Sequence, residues 1–169
     1  MEEAVKSSWS NVETQYQRRA DLIPSLVKTV KGYAAHESET LAALTEARTK
    51  ATSITIDPSD ATPEQMEAFM KAQEEVGSAV NSALSRLIAI SESYPDLKAD
   101  QNFLQLQVQL EGTENRIATS LKKYNEAVRD YNAKLRRFPS NIIAGMFDFE
   151  KHVMFEAKQG AENVPEFEF

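Results

Sequence analysis

From residue 5 to residue 51 an apolar or aromatic side chain returns every three or four positions, and the phase never breaks. The series runs Val5, Trp9, Val12, Tyr16, Arg19, Ile23, Leu26, Val30, Tyr33, Glu37, Leu41, Leu44, Arg48, Ala51, with eleven of the fourteen positions apolar or aromatic. Such spacing holds one stripe on one side of an α-helix, whereas on a strand it would scatter over both faces. A chain built this way folds as helices that bury a seam. The spacing predicts one long helix over 4–53. Pro24 lies inside it, lacks an N–H and predicts a kink near Ala20. Two helices, with Asp21 capping the second, would carry the same stripe.

The pattern recurs twice. Ser53–Ala61 holds Asp57-Pro58 and Asp60 and reads as a loop. A capping box follows, with Thr62 at the N-cap, Pro63 at the first helical position and Gln65 three residues after the cap. Helix two, 62–94, then places Met66, Phe69, Gln73, Val76, Val80, Leu84, Leu87, Ile90 and Tyr94 on one stripe. Pro95 ends it, because the residue before a proline is driven out of the α region. Helix three, 97–137, carries Phe103, Leu106, Leu110, Thr113, Ile117, Leu121, Tyr124, Val128, Tyr131, Leu135 and Phe138. Gly112 inside it costs about 1 kcal/mol relative to alanine, which fits either close helix approach or a tolerated weakness. Beyond Pro139 the composition changes, since six of the eight phenylalanines fall between Phe138 and Phe169. Ile142, Ile143, Met146, Phe147, Val153 and Met154 share one face of a short fourth helix over 140–158, followed by a tail over 161–169. The expected fold class is all-α: a single domain over 1–160, an elongated antiparallel up-and-down bundle of three long helices and a shorter fourth.

Charge and composition remove several functions. With 19 Lys+Arg against 26 Asp+Glu, the net charge of −7 opposes nucleic-acid binding, which needs a basic face. The absence of cysteine removes disulfide frameworks, Cys-ligated zinc, iron–sulfur clusters and thiol nucleophiles. The opening Met-Glu-Glu-Ala has neither the basic nor the apolar region of a signal peptide. The longest uncharged apolar run, near 142–147, is far below the ~20 residues of a membrane helix. Enzyme motifs fail in turn. A di-iron bundle needs two Glu-x-x-His pairs, and His36 and His152 are the only histidines, neither with a glutamate three residues before it. His36-Glu37-Ser38-Glu39-Thr40 begins like a zinc-protease motif but sets Thr40 where the second histidine must stand. The five glycines are isolated, so no phosphate-cradling loop or nucleophile elbow forms. No catalytic, cofactor-binding or metal-ligating residue is assigned, and no cofactor is expected.

Polar residues that fall on the apolar stripes form the candidate site. Arg19, Glu37 and Arg48 are in phase with the seam of the first helix, and Thr113, with Glu114 and Arg116 beside it, sits on the stripe of the third. A charge at a seam must be paired or must snorkel outward. These six residues are therefore expected to form an interhelical polar layer that fixes register, with a ligand site as the alternative. Arg18-Arg19 is too small a basic cluster for anionic lipid. The aromatic 142–155 segment reads as a core-packing helix, with a membrane-surface helix as the alternative.

Five strings give the chain a resemblance: Gln-Arg-Arg-Ala-Asp-Leu-Ile-Pro-Ser-Leu-Val (17–27), Val-Lys-Gly-Tyr-Ala-Ala-His-Glu (30–37), Tyr-Pro-Asp-Leu-Lys-Ala (94–99), Leu-Glu-Gly-Thr-Glu-Asn-Arg-Ile (110–117) and Tyr-Asn-Glu-Ala-Val-Arg-Asp-Tyr-Asn (124–132). With Phe138-Pro139-Ser140-Asn141 and the Val164–Phe169 end, they resemble the LemA family over nearly the whole chain. The resemblance implies a helical bundle tethered to a bacterial membrane by one amino-terminal transmembrane helix, with no catalytic residues to carry over. The anchor is missing ahead of the Trp9 region, so the chain itself is expected to be the soluble part. Three roles follow from these readings. The first is a non-catalytic, membrane-anchored interaction or scaffold module of the cell envelope that meets an unknown protein partner at or near the membrane. The second is a lipid-surface or envelope-integrity factor. The third is a small-ligand-binding bundle that uses the polar layer.

Overall fold

The computed structural model describes residues 1–57, 60–137 and the single positions 142, 145 and 146. The expected helix over 140–158 and the tail over 161–169 lie outside the described residues, those three positions aside. Every element among the described residues is helical: α1 (Glu2–Lys31), α2 (Ser38–Ser53), α3 (Pro63–Ser91), α4 (Pro95–Ala99) and α5 (Gln101–Arg136). No described helix is long and apolar enough to cross a membrane.

The helix expected over 4–53 is two helices, and the break falls at neither Pro24 nor Asp21. Pro24 sits within α1, which continues to Lys31. The chain turns over 32–37, beginning at Gly32, the weakest helix former of the stretch. The Ala34 N–H closes on the Val30 carbonyl at 2.7 Å, and the Glu37 N–H on the Ala34 carbonyl at 3.1 Å. Ala34 is fully buried, so the turn itself supplies an inward apolar residue before Leu41 resumes the stripe. A reversal that keeps this rhythm is invisible to a count of spacings.

The other boundaries have local causes. The Thr62 hydroxyl accepts the Gln65 N–H at 3.2 Å while the Gln65 side chain accepts the Thr62 N–H at 3.0 Å, the reciprocal capping box. The residues after α3 form a turn, and Pro95 opens α4 rather than simply stopping a helix. Asp100 then caps α5, its Oδ1 accepting the Phe103 N–H at 2.9 Å. Its Oδ2 accepts the Tyr33 hydroxyl at 2.7 Å, which holds the Asp100 carboxyl below its usual range and the Tyr33 phenol above its own.

Side-chain meetings fix the directions. Trp9 meets Tyr124, Arg19 meets Glu114 and Tyr33 meets Asp100, so α1 and α5 run oppositely. Trp9 meets Phe69 and Arg19 meets Gln73, so α3 runs with α1. α2 lies beside α3, where Lys50 pairs with Glu75. The most extensive helix pair is α1 with α5.

The interior divides in two. One cluster, holding Ile23, Leu26 and Val30 of α1, takes Leu41, Leu44 and Ala47 from α2, and side chains from α3, α4 and the start of α5. The other joins Val5, Trp9, Val12 and Tyr16 to Met66 and Phe69 of α3 and to Ile117, Tyr124, Val128 and Tyr131 of α5. No α2 residue reaches this second cluster; Ile54, Ile56 and Ala61 of the connection cover it instead.

Candidate functional site

Arg19 stands where the two clusters meet, only 3% exposed. It lies on the buried stripe of α1, so its guanidinium must find acceptors inside the bundle. Nη1 donates to Glu114 Oε1 at 3.0 Å. Nη2 donates to the Gln73 backbone carbonyl and to Gln73 Oε1, both at 2.9 Å. The guanidinium carbon also lies 5.3 Å from the Tyr16 ring centroid, within cation–π reach. Gly77 makes the space: a Cβ there would come within 2.8 Å of Arg19 Nη1. Thr113, fully buried beside Glu114, turns its hydroxyl onto the Gln109 carbonyl of its own helix at 2.7 Å. Burial pushes the Tyr16 phenol up to about 12, the nearby Arg19 charge opposing that shift.

The layer therefore comprises Arg19 and Glu114 from the six expected residues, with Gln73, Gly77 and Tyr16 added, while Thr113 is buried next to Glu114 but bonds within its own helix. Glu37 is half-buried at the start of α2, while Arg48 and Arg116 are exposed. The reversal over 32–37 moves Glu37 and Arg48 off α1, and on α2 the inward position is Ala47, one residue before Arg48. On α5 the inward position is Ile117, one residue after Arg116. Gln73 was readable as a polar residue on the stripe of helix two; Gly77 needed the packing to be seen.

Chemically, the layer is an internal brace. The guanidinium faces protein acceptors on two helices, and only Glu114 has substantial access to water, at 29%. Its edge opens onto a groove of about 1240 Å³, with Gly77, Asn81 and Ser85 on the α3 wall and Ile117, Leu121 and Asn125 on the α5 wall. Among the described residues no group of three or more histidine or carboxylate side chains is placed to hold a metal ion.

A model of the LemA family matches residues 8–169. The chain belongs to the LemA family. Among curated relatives, this LemA-family chain is 25% identical over 155 residues to "Protein LemA" of Metamycoplasma hominis, covering 92% of the chain and 65% of that protein. It is 27% identical over 180 aligned residues to "Magnetosome protein MamQ 2" of Paramagnetospirillum magneticum, covering 96% and 64%. "Magnetosome protein MamQ" of Magnetospirillum gryphiswaldense is 25% identical over 178, again covering 96% and 64%. The chain thus spans just under two-thirds of the length of these relatives. Within it, the LemA-like stretches 17–27 and 110–117 are the two that supply Arg19 and Glu114.

Proposed function

We propose that this LemA-family chain is a non-catalytic helical interaction module, which its parent protein carries on a membrane anchor at the bacterial cell envelope. One observation carries the reading: the one buried charge among the described residues, Arg19, is tied to Gln73 and Glu114 of the fold itself, as in a rigid spacer rather than a reaction centre. On this reading the elongated up-and-down bundle presents its outer helix faces to a protein partner. The family assignment supports the envelope setting, and the third of the relatives' length that lies beyond this match leaves room for an anchor.

The absence of cysteine from these 169 residues lets one introduced thiol report on the bundle. The full-length protein carrying Glu126→Cys, on the exposed face of α5, is expected to remain with membranes after high-salt washing and to leave them only with detergent. Recovery in the soluble fraction would overturn the anchored reading. A membrane-impermeant maleimide then assigns the side: labelling in intact cells places the bundle outside the cytoplasmic membrane, and labelling only after lysis places it within.

A further inference from the structure

The inward face of α5 packs against α1, but over the first half of the helix its outward face carries exposed apolar residues. Val108 is 69% exposed and Leu104 41%, one turn apart and opposite the buried Leu106 and Leu110. From Gln101 to Leu110 no residue is charged, in a chain with 27% charged residues. Loss of charge, more than apolarity, marks the centre of a protein interface. One turn further along the same line stands Gly112. Gly77 has a reason inside the chain, since a Cβ there would strike Arg19; a Cβ at Gly112 would meet nothing within 4 Å. A glycine in mid-helix is unfavourable, and no contact among the described residues requires it.

We propose that the stripe Leu104, Val108, Gly112 and Asn115 is a self-association surface, which takes α5 of a second copy running antiparallel about a two-fold axis at Val108. The stripe is complementary to itself in that arrangement. With Val108 on the axis, Leu104 of each copy comes level with Gly112 of the other, one turn to either side. The protruding leucine enters the hollow bounded by Val108, Glu111, Gly112 and Asn115 of the second copy, a knob set into a hole that the missing Cβ deepens. Charge favours the same occupant. Two chains of net −7 repel, and this face, uncharged from Gln101 to Leu110, is where they approach at low cost. Glu111 lies exposed at its edge, free to stay in water. The stripe from Gln101 to Thr119 is about 28 Å long, and one helix face of that length falls below the standard stable interface of roughly 1,200–2,000 Å². The association is accordingly weak and concentration-dependent. It does not rest on the membrane-anchored reading.

The test uses the 169-residue chain in solution. Sedimentation analysis over a wide concentration range is expected to show a monomer passing into a dimer, with no larger species. Val108→Cys in this cysteine-free background should give a disulfide-linked dimer on mild oxidation, while Glu126→Cys should not. Gly112→Leu should weaken association roughly tenfold or more without lowering the melting temperature, because the added side chain meets open space in the monomer. Failure of the variant to fold would be visible in that same melting curve, and Val108→Cys is then the deciding arm. A monomer at every concentration, or cross-linking no better at Val108 than at Glu126, overturns the proposal. So does a Gly112→Leu chain that is folded and associates as before.

Discussion

The two ends of the bundle solve one packing problem differently. On the Val30 side of Arg19 the interior is shared by α1, α2, α3 and α5, and its buried side chains are mainly leucine, valine and alanine, with Phe103 the one fully buried aromatic. On the Val5 side α2 is absent, and a non-helical connection through Ile54, Ile56 and Ala61 stands in its place. Here the interior is filled by Trp9, Tyr16, Phe69, Tyr124 and Tyr131, with Trp9 at 5.6 Å from the Phe69 ring and 5.1 Å from the Tyr124 ring. Protein interiors pack to one density. Where no fourth helix stands among the described residues, ring volume fills the space, and tilted ring contacts add specificity that aliphatic packing lacks.

That contrast can be broken experimentally. Trp9→Ala removes the centrepiece of the aromatic end and is expected to cost about 3–5 kcal/mol, read by denaturant unfolding followed by far-ultraviolet circular dichroism. A loss below ~1 kcal/mol would mean that the connection over 54–61, not the rings, holds this end closed. Leu44→Ala at the other end should cost about 2–4 kcal/mol, with the extra hydrogen exchange concentrated in α2, which only that cluster holds in place. Equal exchange in Val5–Tyr16 would show that the two ends unfold as one unit.

Smaller effects sharpen the boundary between the ends. Glu114→Gln keeps an oxygen that can accept from Arg19 but removes the neutralising carboxylate charge, and because water reaches this position the loss should be about 1–2 kcal/mol. A stability unchanged by this substitution would mean that Gln73 and Tyr16 suffice for the cation. Gly77→Ala would ordinarily gain helix propensity, but its Cβ displaces a guanidinium pinned by three hydrogen bonds. The net expectation is a loss of about 0.5–1 kcal/mol, against a gain of similar size for Gly112→Ala. A last difference is silent at neutral pH. Burial raises the phenols of Tyr16 and Tyr124 to about 12 and raises that of Tyr131, and all three belong to the aromatic end. The folded chain holds these protons more tightly than the unfolded chain. Stability is therefore complete below pH 10 and declines as pH rises through about 12. Near-ultraviolet dichroism should fade over that interval, and Tyr16→Phe should push the decline to higher pH.

How far the sequence could be read follows from what period and chemistry encode. The stripes on α3 and α5, the Thr62–Gln65 capping box and the helical class were legible because each is a local signal. The turn at Gly32 was not, since Ala34 fills the inward position that a continuous helix would have supplied. The same error spread to the candidate site: Glu37 and Arg48 kept their phase with Arg19 on paper while the chain had already reversed. Arg19 was readable from its seam position, and Glu114 from its place beside Thr113 on the stripe of α5. Gln73 was visible on its stripe, but nothing local paired it with Arg19 across 54 residues of sequence. The role of Gly77 exists only once α1 and α3 are brought together.

The pairing of α1 with α5 also sets an order of events at the ribosome. Among the described helices α1 is made well before its principal partner α5, so the sides of Val5, Trp9, Val12 and Tyr16 that α5 covers stay open while roughly a hundred further residues are synthesised. Meanwhile α2 and α3, adjacent in sequence, can already close upon each other. During that interval the nascent amino-terminal helix is an adhesive amphipathic segment, open to chaperones or to a lipid surface. Phe69 covers one side of Trp9 first, and the other closes when Tyr124 emerges.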